Sequence, residues 1–383
     1  MKSLLIVAGL IATASATAHA EPAEFIDDAK LIYTDAACGS GTVAPELEKI
    51  VAVHCKAINE RLAKFRALYF DKGRPFFDKL VPADAPTTVV YPFGGGDLLS
   101  ALVAFPNATE ITTISLEQAG DPRRLKTLKP AQVESSLGML RLEIGGLISV
   151  GSNTSENLSD QQRNDVPGQV ASFMLALVAG GYEPVSMRYF TIDDAGELHY
   201  LERAEIDELD KQAGKSLKGD WKPPTFSPAF ANVEIQYRRI GETLIRVHRH
   251  IGWNLGNDYM KKHPQLLLHL EKKGQVTVLV KGASYLLWRG DFSRTREYIL
   301  DHLKWMLSDS TGIPPKYAKP AGMIQETYGD YSGAFLEGAQ ANPHDVDMID
   351  LWKGQRRRSL PFRFGYVDKD KQAHLLVTRP RKS

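Results

Sequence analysis

Four short stretches carry the side chains that could do chemistry in this chain of 383 residues. Phe93 to Asp97, FGGGD, is a glycine turn: Gly94, Gly95 and Gly96 free the main chain to approach a ligand, and Asp97 places a carboxylate at the start of a helix. Glu117 to Gly120 opens with an acid at the end of a β-branched run. In nucleotide-binding sheets an acid at that position accepts ribose hydroxyls, while the glycine turn lets the ligand meet a helix N-terminus. Trp253 to Asp258, WNLGND, offers an indole, two amides including Asn254, and the Asp258 carboxylate; Lys281 to Tyr285, KGASY, offers an ammonium, the Ser284 hydroxyl and the Tyr285 phenol. The set suits an anionic or sugar-like small molecule. Asp97, Lys281, Glu117 and Asp258 are the candidates for acid, base or orienting roles if the protein is an enzyme. Asp97, Asn254 and Asp258 equally suit helix caps and turns.

The elements that must hold these groups begin with a strand over Thr87 to Tyr91, a short helix over Leu98 to Phe105 and a strand over Ile111 to Leu116. That is the opening βαβ unit of a Rossmann-like sheet, in which ligands bind beyond the carboxyl ends of the strands near a switch point. Strands over Thr243 to Ile251 and Val276 to Val280 supply the third and fourth stretches. The fold expected is α/β: a Rossmann-like, mostly parallel sheet with helices on both faces and additional antiparallel hairpins. Those hairpins are Val185 to Ile192 with Leu198 to Leu201, and Val233 to Arg239 with the strand ending at Ile251. Helical spacing predicts helices over 45–70, over Pro130 to Ile148 with Leu137, Leu140, Leu142, Ile144 and Leu147 inward, over Asp258 to Lys272, and over Ser293 to Leu307. Polar residues 151–165 read as a loop holding the N-x-S triplets at Asn153 and Asn157, with N-A-T at Asn107. Residues 214–231 read as a long surface loop, 379–383 as a basic tail, and 21–383 as a single domain.

Residues 1–20 read as a secretory signal peptide: Lys2, an apolar run from Leu4 to Ile11 too short to span a bilayer, and Ala18-His19-Ala20 before Glu21. The mature chain then works in the periplasm or outside the cell and carries no transmembrane segment. The full chain has 47 basic and 46 acidic residues, and removing Lys2 brings the formal charge to zero. A balanced chain is not a general nucleic-acid binder. The runs Arg356 to Arg358 and Arg379, Arg381, Lys382 read as a solvated edge and a frayed tail. The two cysteines, Cys38 and Cys55, form an even set in an oxidising compartment, so a structural disulfide is expected, and no C-x-x-C redox motif occurs.

At YPFGGGD (Tyr91 to Asp97), FPNA (Phe105 to Ala108) and Leu116-Glu117, the chain resembles a group of exported bacterial proteins without an assigned activity. SYL at Ser284 to Leu286, FSRTREYIL at Phe292 to Leu300 and DSTGIP at Asp309 to Pro314 continue the resemblance, which covers roughly residues 85–335 and implies a fold and no reaction. The glycine turn also resembles the start of class I methyltransferases. It departs from them at Tyr91-Pro92, where an acid usually precedes the glycines, and adenosylmethionine is not expected outside the cytoplasm.

His248 and His250 share one face of a strand, as a zinc pair would, with Asp258 as a conceivable third ligand; the flanking Arg246 and Arg249 oppose a cation, and no metal is expected. Neither G-x-S-x-G nor a P-loop motif occurs. Three readings follow: a binding protein for a small polar or anionic molecule, an enzyme acting on an envelope or extracellular small molecule or glycan, or a structural protein on a methyltransferase-like core. No cofactor is indicated. A lysine and a carboxylate converging at the strand ends would favour the enzyme, whereas a filled strand-end surface would favour the structural protein. Gly95→Ala is expected to spare the fold if Gly95 has a negative φ.

Overall fold

The computed structural model describes residues 21–148, 166, 168–211, 227–331, 345–365 and 374–381. Residues 1–20, read as a signal peptide, the stretch 151–165 with Asn153 and Asn157, residues 214–226, and 382–383 lie outside them.

Among the described residues ten strands form one mixed sheet: β1 Thr88–Pro92, β2 Glu110–Ser115, β3 Tyr182–Ile192, β4 Leu198–Tyr200, β5 Val233–Arg239, β6 Arg246–Gly252, β7 Val276–Val280, β8 Leu303–Ser308, β9 Met323–Gly329 and β10 His374–Pro380. Their spatial order is β4-β3-β5-β6-β2-β1-β7-β8-β10-β9. The middle five, β6-β2-β1-β7-β8, are parallel. Taken in chain order they lie third, second, first, fourth, fifth, so the direction of winding reverses between β1 and β7. The expected mostly parallel sheet needs correction, because the other five pairings among the described residues are antiparallel. The reason is topological. The chain between β2 and β6 returns through hairpins, which need only short links, and so adds β5, β3 and β4 to one edge.

Helices cover both faces. On one side lie α1 Ile26–Leu31, α2 Glu48–Phe65, α3 Arg74–Leu80, α4 Leu98–Ala104, α5 Pro130–Ile148, α6 Gly168–Gly180 and α7 Arg203–Asp210. On the other lie α8 Asn257–Lys262, α9 Gln265–Glu271, α10 Ser293–His302 and α11 Pro315–Ala318; α12 spans Asp345–Lys353. The alternation of a strand assigns side chains to the two cores: Val89 and Tyr91 of β1 join the first and Val90 the second. β7, VTVLV, is buried at every position, as a strand covered on both faces must be.

Three helix expectations change. Residues 258–272 form two helices, because Pro264 stops the first and biases His263 away from helical backbone. Leu303–Ser308 is a central strand and not the end of α10. Leu142 is 76% exposed although Leu137 and Leu140 are buried. Arg379, expected in a frayed tail, sits in β10 and pairs with Glu326 at 2.8 Å.

Cys38 and Cys55 are joined, tying α2 to the segment after α1. Closing a loop of this size stabilises the fold by about 3 kcal/mol. On the second face a stripe of charge crosses four strands: Arg188 to Glu234 at 2.7 Å, Glu234 to Arg249 at 2.8 Å, Arg249 to Glu110 at 2.8 Å, and Glu110 to Lys273. It locks the register of β3, β5, β6 and β2, since a one-residue slip would send each charge to the opposite face.

Candidate functional site

The five parallel strands deliver their loops to one end of the sheet, and the glycine turn sits at the reversal between β1 and β7. Its glycines answer first to the fold. A Cβ on Gly94 would lie 2.6 Å from the Tyr91 ring, and Gly95 has φ +47°. The condition attached to Gly95→Ala therefore fails, because a side chain is strained there whether or not a ligand approaches. Gly94 N donates to the carbonyls of Tyr91 and Ile114, Asp97 N donates back to Gly94 O, and all three glycines are buried.

Asp97 is both a cap and a junction. Its Oδ1 accepts the Ser100 N–H at 3.2 Å, capping α4, and its Oδ2 accepts the Tyr91 hydroxyl at 2.9 Å and the Lys281 ammonium at 3.2 Å. Lys281 also donates to Ser100 Oγ at 3.0 Å. A lysine from β7 and a carboxylate from the turn after β1 thus converge across the reversal point. Burial alone would lower the Lys281 pKa; the Asp97 carboxylate, with Tyr69 and Asp309 beyond it, outweighs that and raises it. Burial, then Asp97, pushes the Tyr91 phenol well above its ordinary value. The cluster holds an ion pair in a fixed hydrogen-bond geometry, with the Lys281 ammonium kept charged by Asp97.

The remaining candidates divide. Gly282 N donates to Asp309 Oδ2 at 2.9 Å, which ties the loops after β7 and β8 together. Ser284 and Tyr285 lie in the short 3₁₀ helix Ala283–Trp288, and Tyr285 packs against the cluster of Trp288, Met348 and Leu376. Asn254 is exposed and accepts Gly256 N at 2.8 Å, so it forms a turn. Asp258 is exposed in the first turn of α8. The residue that binds the region together is Asn257: it accepts Arg294 N and donates to Gly290 O and Ser293 Oγ.

Beyond β2 and β6 the surroundings are different. Glu117 is 7% exposed, and burial raises its carboxyl pKa against the opposing influence of the nearby Ser115 hydroxyl and its own main chain. Trp253 N donates to Ser115 O at 2.7 Å. A Cβ on Gly252 would meet Glu117 O at 3.3 Å, so glycine is what lets the two loops close up. Two buried polar atoms here have no hydrogen-bond partner in the protein, Gln118 Oε1 and Trp253 Nε1, whereas the Ser115 hydroxyl acts on the Glu117 carboxyl. Gln118 falls inside the stretch Glu117 to Gly120 without being singled out, and Ser115 lies outside it, because neither type is distinctive; their only signal is their position beside Glu117.

His248 and His250 are buried on the first face against Phe173, with ring centroids 4.4 and 5.2 Å away. Asp258 belongs to a helix covering the second face, so the conceived ligand set is not brought together. Arg249 also points to the second face, where Glu110 and Glu234 neutralise it, and therefore does not set the field at the histidines. Among the described residues no group of three His, Cys, Asp or Glu side chains is arranged to hold a metal, and no helix is long and apolar enough to cross a membrane. Compared with protein-family models, curated proteins and solved structures, the chain matches none.

Proposed function

We propose that this is an exported α/β protein with a Rossmann-like sheet, whose strand-end pocket beyond β2 and β6 binds a small, uncharged, hydroxyl-rich molecule. Export rests on the leader-like residues 1–20 and is supported by the Cys38–Cys55 bond, since such bonds persist in oxidising compartments. The third-second-first-fourth-fifth order of the parallel strands supports the Rossmann-like reading.

The observation that carries the ligand is a pair of buried polar atoms without a hydrogen-bond partner in the protein, Gln118 Oε1 next to Glu117 in the loop after β2 and Trp253 Nε1 in the loop after β6. Each such atom costs about 1–3 kcal/mol. A molecule with several hydroxyls can accept from the indole N–H with one and donate to the amide oxygen with another, and would relieve that cost. An anion would face the Glu117 carboxyl instead, and the balanced chain charge gives nucleic acid no hold. A second reading, an enzyme acting on an envelope or extracellular small molecule, draws on the Asp97–Lys281 convergence; there the ammonium, held charged, would orient or stabilise negative charge but not abstract a proton.

Native mass spectrometry of protein purified from its own host tests the proposal. Wild type should carry a neutral small molecule, and Glu117→Ala should lose it while still unfolding cooperatively, at the lower melting temperature that loss of a ligand brings. A bound mass that survives Glu117→Ala in folded protein would refute the assignment.

A further inference from the structure

From Tyr91 to Gly96 the chain is buried at every position except Phe93. The backbone of Phe93 has φ +61°, the left-handed region in which an L side chain costs free energy that glycine would not. The next three positions are glycine, yet the strained one carries a phenyl ring. Strain of this kind persists where the surrounding structure holds it, and it clusters at ligand sites. The ring is braced by Phe292, with centroids 5.8 Å apart and planes at 68°. Trp253 is braced in the same way by Tyr259, at 5.8 Å and 81°. Phe93 and Trp253 both pack on the second core and both remain partly exposed, and Leu116, at the end of the strand between them, is 50% exposed.

We infer that Phe93, Leu116 and Trp253 form an apolar shelf that takes the ring of a pyranose sugar, with Phe93 setting that specificity. The three residues follow β1, β2 and β6, which are neighbours in the sheet, and the register puts them level: Pro92 pairs with Ile114, and Ile114 with Ile251. Adjacent strands lie about 4.8 Å apart, so the Phe93 and Trp253 backbones stand about 10 Å from each other with Leu116 between them. That gap admits one six-membered ring. The C–H groups of a pyranose are electron-poor, because each carbon bears oxygen, and they match the negative face of an aromatic ring. The hydroxyls leave from the rim of the sugar, where Trp253 Nε1 can donate and Gln118 Oε1 can accept. An open-chain polyol offers the same hydroxyls without a flat apolar face. The inference rests on the strand-end reading above and adds to it the ring that the ligand must have.

The test is saturation-transfer nuclear magnetic resonance on the chain from Glu21 onward, irradiating aromatic protons in the presence of methyl β-D-glucopyranoside, methyl β-D-galactopyranoside or mannitol. At least one glycoside should receive saturation on the C–H protons of one ring face, and mannitol should receive none. Phe93→Leu, which keeps an apolar side chain on the same backbone, should raise the Kd for that glycoside about tenfold, whereas Phe93→Tyr should stay within about twofold of wild type. Transfer to mannitol equal to that of the glycosides, transfer spread evenly over both ring faces, or no transfer to either glycoside overturns the inference, and the wild-type spectra decide all three without any variant having to fold. An unchanged Kd in Phe93→Leu overturns it as well. The underlying reading fails separately. A bound mass lost in Glu117→Ala with no glycoside binding leaves the hydroxyl-binding pocket without the shelf, and glycoside binding that depends on Phe93 beside a mass that survives Glu117→Ala leaves the shelf without Glu117.

Discussion

The side-chain amide of Gln355 lies along the outer edge of β9 in the manner of a paired strand. Its Oε1 accepts the Thr327 N–H at 3.1 Å and its Nε2 donates to the Gln325 carbonyl at 2.8 Å, while Gly329 N donates to Arg358 O just beyond. One glutamine thereby occupies the main-chain groups that would otherwise present an open sheet edge. Gln355→Ala should lower stability by about 1–2 kcal/mol and promote self-association. Urea unfolding and light scattering at rising concentration check the two effects, and a variant as stable and as monodisperse as wild type would contradict the role.

Asp35 is 0% exposed, and neither carboxylate oxygen has a hydrogen-bond partner. Burial raises its pKa from 3.8 to about 6. A folded-state pKa above the unfolded one means stability that is full below pH 3.8 and lost as the pH rises through about 6. Asp35→Asn should therefore gain up to about 3 kcal/mol relative to wild type on going from pH 3.5 to pH 7.5. Paired melting curves at the two pH values decide it; an equal effect at both would mean that the carboxyl is not neutralised by folding.

Glu234 is 1% exposed and sits between Arg188 and Arg249. Burial would raise its pKa, but the Tyr200 hydroxyl and the two guanidiniums more than reverse this and lower it; Lys273 and Arg249 do the same for Glu110. Depressed pKa values give stability that is complete above the ordinary glutamate range and drains away as the pH falls from there through the depressed values. Glu234→Ala should cost about 3–5 kcal/mol at pH 7, because it leaves buried charge uncompensated, and the deficit should shrink in acid. A cost that does not change with pH would refute the charge assignment.

Gly95→Ala should destabilise the fold by about 1–2 kcal/mol through its left-handed backbone. Gly94→Ala should cost more, since its Cβ meets the Tyr91 ring. Gly95→Asn, which tolerates the conformation, should fall between Gly95→Ala and wild type. Denaturant midpoints rank the three, and a Gly95→Ala protein as stable as wild type would show the turn to be free of this constraint.

What could be read from the sequence was local. The β-branched run, the three glycines and Asp97 announce a strand, turn and capped helix, and the even cysteine count announces the bond; the strand-end rule selects both Asp97 and Lys281 but does not pair them. Ambiguity arose where one pattern served two periods. Leu303, Trp305, Met306 and Leu307 continue the spacing of α10 and equally fill a strand buried on both faces, so β8 was read as helix. β9 was missed because Ile324, Gln325 and Glu326 are only partly buried and show no clean alternation. The hydrogen bonds of Thr113 to His248 and His250 were invisible for a different reason: they span 135 and 137 residues, and only the register of β2 with β6 brings the partners together.

That same middle of the sheet sets a sequence of events in time. β1 pairs on one side with β2, a short crossover away, and on the other with β7, where Thr277 Oγ1 donates to Pro86 O across 191 residues of chain. A chain that emerges from its N-terminus must make the glycine turn and β2 long before β7 exists, and loop closure over such a span is slow. Val89, Val90 and Tyr91 then wait as half of a seam, apolar on both faces. By that order the two halves join down the centre of the molecule only after β7 has been made, along the line where Asp97 meets Lys281, so the ion pair at the strand ends is a sign that the seam has closed.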